Sequence, residues 1–298
     1  MLHAYGRRLN KILCEIRPDI CVSVGGRDIF CLPSCTDGSI KVSEFHFSHD
    51  KYAVKYGGSF FGNIYARFRM RRIEKVAAKL DKFIVLTKSD KKDWEPFVPN
   101  VTSIYNPLTF KSEEVAALDN EKCIAIGRLE SQKNFRDLVA AWKYVAEENP
   151  DWVLEIYGNG SLKKSLQKQI TSLGLDLQVR LMGSSSDIRS KMLDSSCLVM
   201  SSAYEGFPMV LLEAVETGLP MVSYDCPKGP AEIIIDGKSG YLVKPGDVEG
   251  LARRVCDVIS DAGRRKEFGA MAKETAAQYS IDRIMEQWKT LFEGLMAK

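Results

Sequence analysis

The chain has 298 residues, of which 45% are hydrophobic and 27% are charged. This composition is ordinary for a soluble globular protein and excludes the collagen-like, disordered and disulfide-scaffold classes, while the length suggests two domains. The 42 Lys and Arg residues nearly balance the 39 Asp and Glu residues, and the formal net charge of +3 does not indicate a nucleic acid as partner.

Eight cysteines and three histidines are scattered along the chain, and no two cysteines form a Cys-x-x-Cys pair. A zinc site is therefore not expected. The opening residues lack the apolar segment of a secretory signal, and no apolar run reaches the roughly 18 residues that would span a membrane. We expect a protein of the reducing cytoplasm.

Short apolar runs alternate with helical stretches in the first hundred residues. A helical stretch at residues 5–16 comes first, and the longest one covers residues 58–80. Four apolar runs are predicted to be strands, at residues 20–24, 40–45, 83–87 and 101–105. This alternation predicts a parallel sheet covered by helices.

A second set of elements begins near residue 122. Five strands are predicted, at residues 123–126, 152–157, 179–182, 197–200 and 220–224, and helices at residues 134–147, 247–260 and 281–296. Asn106-Pro107 and the polar residues after it place a boundary at residues 106–121. The fold class is therefore α/β, with two doubly wound domains and a cleft between them, where ligands bind beyond the carboxyl ends of the strands.

The stretch Glu205-Gly-Phe-Pro-Met-Val-Leu-Leu-Glu213 places two carboxylates eight residues apart. Pro208 suits the first turn of a helix that Gly218 and Pro220 would end. The N–H groups of residues 207–210 would then form an anion site, with a loop carboxylate before it and a helix carboxylate after it. The alternative is a loop glutamate and a surface glutamate without a common role.

The stretch Gly127-Arg-Leu-Glu-Ser-Gln-Lys-Asn134 follows a predicted strand and opens a predicted helix. Arg128 and Lys133 would lie at the carboxyl end of the sheet. A planar guanidinium and a compact ammonium suit a diphosphate, and Gly127 lets the backbone approach it closely. The alternative is two solvated cations beside a loop.

Together these two motifs resemble the retaining GT-B glycosyltransferases of family 4, the glycosyl transferases group 1. Three further motifs occur in the family's order, namely Tyr157-Gly-Asn-Gly160, Gly218-Leu-Pro-Met-Val222 and Gly237-Lys-Ser-Gly-Tyr-Leu-Val243. The resemblance covers residues 120–275. The stretch Asp225-Cys-Pro-Lys-Gly-Pro-Ala-Glu232 further resembles members that build bacterial surface polysaccharides.

The resemblance implies a GT-B architecture of two Rossmann-like domains that face each other across a cleft. Residues 1–110 would form the acceptor-side domain and residues 111–278 the nucleotide-sugar-binding domain, while the helix at 279–298 would pack back on the first domain. The first two or three strands of the family, with their glycine-rich turn, are not found in this sequence. We therefore expect a shortened, incomplete first domain.

The resemblance also implies roles for individual residues. Arg128 and Lys133 would neutralise the donor diphosphate, Glu213 would hold the ribose, and Glu205 would be catalytic at the donor sugar. The other implied donor-binding positions are Gly127, Phe207, Pro208, Met209, Val210 and Met182. No Asp-x-Asp pair occurs, so we expect no metal and no resident cofactor, with a nucleotide-diphosphate sugar, most simply a UDP-sugar, as donor substrate.

The acceptor side is represented by the stretch Ser43-Glu-Phe-His-Phe-Ser-His49. The resemblance places a cleft-facing histidine after a strand here, and His46 fits that place better than His49. A histidine satisfied in a packed interface is the alternative. A retaining reaction needs no protein base if the leaving phosphate accepts the proton. Two carboxylates could instead serve a glycosidase, but the implied ribose contact of Glu213 argues against hydrolysis.

Residues 58–80 combine apolar and basic side chains at helical spacing. A basic amphipathic helix can lie on an anionic membrane surface, and the alternative is a helix packed on the first domain with a solvated basic face.

The function that follows is a metal-independent, retaining hexosyltransferase. It would move a hexose or N-acetylhexosamine to a saccharide or lipid-linked acceptor in capsule, exopolysaccharide or lipopolysaccharide synthesis, in the cytoplasm or at the inner face of the membrane. A catalytically inactive nucleotide-sugar-binding or assembly subunit is the main alternative, and a phosphorylase or hydrolase is the third.

Overall fold

The computed structural model describes residues 2–108 and 110–297, which form two compact units. The first unit runs up to Asn106 and includes the segment that begins at Ile281, and the second unit runs from Pro107 to Ser280. Each unit is built around its own parallel sheet.

The first unit contains a four-stranded sheet in the order β1-β2-β3-β4, and all neighbouring strands are parallel. Its elements are α1 (Leu2–Ile16), β1 (Ile20–Ser23), β2 (Ile40–Phe45), α2 (Lys51–Tyr56), α3 (Phe60–Ala77), β3 (Lys82–Val85), α4 (Lys88–Trp94) and β4 (Val101–Ser103). Two short 3-10 turns, Asp28–Phe30 and Leu32–Ser34, follow β1. The aromatic core consists of Phe45, Phe83 and Trp94, which pack against the buried side of α3.

The second unit contains a six-stranded parallel sheet in the order β10-β9-β8-β5-β6-β7. Its elements are β5 (Lys122–Ile126), α5 (Phe135–Glu148), β6 (Val153–Tyr157), α6 (Lys163–Ser172), β7 (Val179–Gly183), α7 (Ile188–Leu193), β8 (Cys197–Met200), α8 (Met209–Glu216), β9 (Met221–Tyr224), α9 (Pro230–Ile233), β10 (Gly240–Val243), α10 (Val248–Ile259) and α11 (Ala262–Thr275). The strand order reverses between β5 and β8, which opens a crevice at their carboxyl ends.

The last helix, α12 (Ile281–Met296), belongs to the first unit. Ile284 is fully buried, and it packs with Val42 of β2, Ile84 of β3 and Ile104. Trp288 and the partly buried leucines of α12 extend this contact. The amphipathic helix therefore covers one face of the four-stranded sheet.

The doubly wound α/β architecture expected from the sequence is confirmed, and the differences are local. The strand β10 was not predicted, because its apolar run, Tyr-Leu-Val, is only three residues long. Gly240 begins it, and a Cβ there would lie 2.0 Å from the Met221 carbonyl oxygen, so glycine permits the pairing. The prediction of Pro208 in the first helical turn was wrong, because α8 begins at Met209 and Pro208 is the extended residue before it.

The helix α3 is shorter than the predicted span of residues 58–80, and it carries two apolar faces. Ser59 caps it by accepting a hydrogen bond from the Gly62 N–H at 3.0 Å. One face packs into the core through its buried residues Ala66, Met70, Ile73 and Ala77. The opposite side exposes Phe60, Phe61, Ile64, Tyr65 and Phe68. Within the described residues, no helix combines the length and the apolarity needed to cross a bilayer.

Candidate functional site

The loops after β5 and β8 meet at the crevice where the strand order reverses. Ser201 Oγ donates a hydrogen bond to the Lys133 carbonyl oxygen at 3.0 Å. The Ala203 N–H donates to the Gln132 carbonyl oxygen at 2.8 Å, and Gln132 Nε2 donates to the Tyr204 carbonyl oxygen at 3.1 Å. These three bonds hold the two loops together as one surface.

An ion pair between Lys133 and Glu205 lies at the centre of this surface. Lys133 Nζ is 2.6 Å from Glu205 Oε1, and the two side chains are only 17% and 8% exposed. The stem of Lys133 crosses Gly127, where a Cβ would lie 3.0 Å from its methylene carbons. Gly127 therefore leaves the space through which the Lys133 side chain reaches Glu205.

Arg128 and Asn134 complete the loop after β5. The Arg128 side chain is exposed, and its Nη2 donates a long hydrogen bond, 3.4 Å, to Gln132 Oε1. Asn134 has a left-handed backbone (φ 46°), which asparagine adopts more readily than most residues, and its amide donates to Asp137 Oδ2 at 2.7 Å. The loop thus carries an exposed guanidinium and a partly buried ammonium.

The first turn of α8 is held by a close contact with the loop after β9. Phe207, Pro208 and Val210 are buried, while Met209 is partly exposed. Gly229 has φ +108°, and a Cβ there would lie 2.3 Å from Pro208 Cδ. This contact fixes the point at which α8 begins.

The carboxylates of Glu205 and Glu213 have different surroundings. Glu213 is partly buried in α8, and no hydrogen bond or ion pair reaches its carboxylate from the described part of the chain. Burial raises the pKa of the Glu213 carboxyl above its ordinary value. Glu213 is therefore an acceptor without a donor, whereas Glu205 already has a cation.

A neutral thiol lies near the ion pair. Cys226 is buried, and burial raises the pKa of its thiol, with a further rise from the negative charge of Glu205 and a smaller opposing effect of Lys133. Nothing in the amino-acid sequence singled out Cys226 as a site residue. Only the tertiary structure brings Cys226 close to the two charged groups.

The loop after β6 adjoins the loop after β5. A Cβ on Gly158 would lie 1.9 Å from the Gly127 carbonyl oxygen, and the Leu129 N–H donates to the Asn159 carbonyl oxygen at 2.9 Å. Met182 is 44% exposed and is the penultimate residue of β7. It lies on the edge strand, two strands away from β5.

Two serines directly after β8 were not predicted as site residues. Ser201 binds the turn that contains Lys133, as described above. Ser202 is fully buried, and its Oγ has no hydrogen-bond partner among the described residues. Their position at the carboxyl end of a central apolar strand was the signal available in the sequence.

The two candidate histidines of the first unit occupy different environments. His46 follows β2, and its Nε2 lies 3.3 Å from Glu44 Oε2 without making a hydrogen bond within the described residues. His49 Nε2 is 3.0 Å from Glu74 Oε1, and its ring stacks on Phe97 with centroids 5.7 Å apart. His49 is thus occupied by packing, while the His46 ring nitrogen keeps an unused hydrogen-bonding position. No set of three or more His, Cys, Asp or Glu side chains suited to a metal ion occurs in the described ranges.

Comparison with known proteins gives a match to the family described as glycosyl transferases group 1, over residues 109–275. The exopolysaccharide phosphotransferase SCO2592 of Streptomyces coelicolor is 32% identical over 227 residues, covering 74% of this chain and 24% of that protein. The amylovoran biosynthesis glycosyltransferase AmsD of Erwinia amylovora is 33% identical over 220 residues, covering 71% of this chain and 62% of that protein.

Among solved structures, a variant of Staphylococcus aureus TarM in complex with fondaparinux, α-GlcNAc-glycerol and UDP is similar. The TM-score is 0.75 at 25% sequence identity, and the match covers 86% of this chain and 51% of the TarM chain. The fold is thus the GT-B fold of these enzymes. The chain spans less than two thirds of the length of each of these three proteins.

Proposed function

The chain belongs to the family of glycosyl transferases group 1, and from that premise we propose that it transfers a sugar from a nucleotide-diphosphate donor. The observation that carries the proposal is the ion pair between Lys133 and Glu205 in the loop that leads into α8, with Arg128 in the same loop after β5 as Lys133. Cations and helix N–H groups at one point suit a diphosphate, while two carboxylates suit hydroxyl groups.

In this proposal, donor binding breaks the ion pair between Lys133 and Glu205, and each side chain then binds a part of the donor. A diphosphate that reaches Lys133 competes with Glu205 for the ammonium group, and Arg128 adds a bidentate contact from solvent. Glu205, once released, accepts hydrogen bonds from the donor sugar, and Glu213 accepts them from the ribose. In this proposal the exposed Met182 contacts the nucleobase of the donor, and residues 207–210 line its sugar and phosphate.

The proposed reaction is a metal-independent transfer with retention at the anomeric carbon. The bond between this carbon and the phosphate oxygen breaks, the acceptor oxygen forms the new bond on the same face, and the acceptor proton passes to the leaving phosphate. Lys133, Arg128 and the helix N–H groups stabilise the negative charge that develops on that phosphate, a kind of contribution worth roughly 3–4 kcal/mol per donor. His46 is proposed to line the acceptor side.

We propose a UDP-linked hexose or N-acetylhexosamine as donor and a saccharide or lipid-linked saccharide as acceptor, in surface polysaccharide synthesis. The UDP bound to TarM supports the nucleotide, and the names of SCO2592 and AmsD support the product class. The exposed apolar side chains of α3, beside its basic residues, support a peripheral contact with the inner face of the cytoplasmic membrane.

The test is thermal unfolding with UDP, GDP, ADP and CMP, on the wild type, Arg128→Ala and Arg136→Ala. UDP at about 100 times its Kd should stabilise the wild type by roughly 2.7 kcal/mol. The exposed Arg128 has no ion pair within the described residues, so its removal should weaken the shift without unfolding the protein. Arg136, an exposed arginine of α5, is the matched control and should keep the shift.

Two results would contradict the proposal. One is a folded wild type that no nucleotide stabilises, and the other is an equal loss in both arginine variants. UDP binding without transfer of labelled sugar would instead favour a nucleotide-sugar-binding or assembly subunit, an alternative consistent with the four-stranded first sheet.

A further inference from the structure

A cavity of about 810 Å³, open to solvent and lined by residues of the first unit, lies beside α3. Its walls come from α1, from the 3-10 turns after β1 and from the second half of α3. A cavity of this volume is in the range of small-molecule sites.

The cavity is lined by basic side chains and by no acidic ones. His3 and Arg7 come from α1, and Arg72 and Lys75 come from α3, while no acidic side chain is among the lining residues. Arg7, Arg72 and Lys75 make no ion pair with any acidic residue in the described ranges, so their charges remain uncompensated. Converging cations without carboxylates favour an anion, and a phosphate most of all.

The cavity also has an apolar part. Phe30 and Val76 line it, and the Arg72 guanidinium carbon lies 5.2 Å from the centroid of the Phe30 ring. This stacking orients the guanidinium and covers part of the apolar wall. The ligand that fits both parts is a phosphate ester with an attached apolar group.

The cavity lies along the same side of α3 as its exposed aromatic side chains. Phe61, Phe68, Arg72 and Lys75 follow one another at intervals of seven, four and three residues, which places them on one helix face. That face is apolar in its first half, where Phe61 is 81% exposed, and basic in its second half. A membrane meets such a face with its acyl region at the aromatic half and its phosphates at the basic half.

We propose that this cavity binds the phosphate headgroup of a membrane lipid. The inference deepens the proposed membrane contact and rests on it for the class of ligand. It requires nothing of the donor site, because every lining residue belongs to the first unit.

The test measures binding of dihexanoyl phosphatidic acid to the full chain, below the concentration at which this short lipid forms micelles, by calorimetry. No membrane surface is present, so nonspecific attraction to a bilayer cannot contribute. We expect one site per chain, with at least tenfold weaker binding of both glycerol 3-phosphate and dihexanoylglycerol. A charge-assisted contact is worth at least about tenfold in affinity, so Arg72→Gln/Lys75→Gln should lose tenfold or more.

The matched control is Arg71→Gln/Lys79→Gln, which removes the same charge. Arg71 is an exposed residue of α3 and Lys79 an exposed residue just after it, and neither lines the cavity. It should bind within twofold of the wild type. Absence of binding, an equal loss in both double variants, or equally tight binding of glycerol 3-phosphate would overturn the proposal. The UDP-induced thermal shift, measured on the same variants, separates this failure from a failure of the donor site.

Discussion

At the scale of single residues, Glu205 and Glu213 show how one short motif provides two carboxylates with different properties. Glu205 is held by the Lys133 ammonium at 2.6 Å. Glu213 is partly buried without a partner, and burial raises the pKa of its carboxyl. Residues whose surroundings differ in this way are suited to different tasks. We propose that Glu205 leaves Lys133 to bind the donor sugar when the diphosphate arrives. Glu213 is proposed to accept hydrogen bonds from the ribose hydroxyl groups of the ligand.

Glu213 should reduce stability at neutral pH, because its ionised form is buried without a partner. The folded-state pKa lies above the ordinary value, so the protein takes up a proton as the pH falls through it, and the unfavourable contribution then disappears. Glu213→Gln should therefore raise the melting temperature at pH 7 and change it little at pH 4. Thermal unfolding at both pH values measures this difference.

Glu213→Gln should also bind UDP more weakly than the wild type does, since an amide is a poorer acceptor for ribose hydroxyl groups than a carboxylate. Glu286→Gln, at an exposed position of α12, should change neither the melting temperature at pH 7 nor the UDP shift. A Glu213→Gln protein that is less stable than the wild type at pH 7 would show that the carboxylate has a structural partner.

At the scale of elements, the site is a set of loops at the carboxyl ends of neighbouring strands. The loops after β5 and β8 are linked by three hydrogen bonds, and the loop after β9 supports the first turn of α8 through Gly229. The parallel sheet is rigid, while its loops supply the side chains. The position of the first turn of α8 therefore depends on a contact with a neighbouring loop.

Gly229→Ala should destabilise the second unit and weaken UDP binding. Its backbone at φ +108° disfavours a side chain, and the new Cβ would lie 2.3 Å from Pro208 Cδ. The two effects together should cost about 2–5 kcal/mol in the free energy of unfolding. Chemical denaturation and UDP titration would measure both consequences.

Gly237→Ala is the control for the backbone effect alone. Gly237 has φ +70°, but nothing lies within 4 Å of the position of its Cβ. We expect a loss of about 1–2 kcal/mol and unchanged UDP affinity. Equal effects of the two substitutions on UDP binding would mean that the contact with Pro208 does not position α8.

At the scale of the whole molecule, the two compact units have separate proposed tasks. The residues proposed for the nucleotide sugar belong to the second unit. The acceptor-side His46, the cavity and the exposed face of α3 belong to the first unit. The helix α12 follows the second unit in the chain yet completes the core of the first. The chain therefore returns to its first unit after building the second.

Ile284→Ala should destabilise the first unit and leave the donor site intact. Ile284 is fully buried with Val42, Ile84 and Ile104, and truncation of such a side chain costs about 2–5 kcal/mol. Denaturation should report this loss, while UDP affinity under native conditions should stay within twofold. Met285→Ala, at the exposed next position, should cost less than about 0.5 kcal/mol. A large fall in UDP affinity in folded Ile284→Ala protein would show that the units act together in donor binding.

The amino-acid sequence by itself determined the local structure of this protein. Apolar runs and helical spacing predicted nine of the ten strands in the part of the chain that the structure describes, because the pattern of burial on a strand or helix repeats over a few residues. The motifs around Lys133 and Glu205 were visible for the same reason, since each is a continuous stretch between a strand and a helix. The short strand β10 was missed because glycine permits a pairing that its three apolar residues do not signal.

Only the tertiary structure decided which of these stretches meet and which side chains are left exposed. Lys133 and Glu205 are 72 residues apart, and they form an ion pair because the strand order places β8 beside β5. The aromatic residues of α3 follow the same spacing as its core residues, but the sheet covers only one face of the helix. Spacing along a chain defines the face on which a side chain lies, whereas burial depends on what packs against that face, and the packing partner comes from distant sequence.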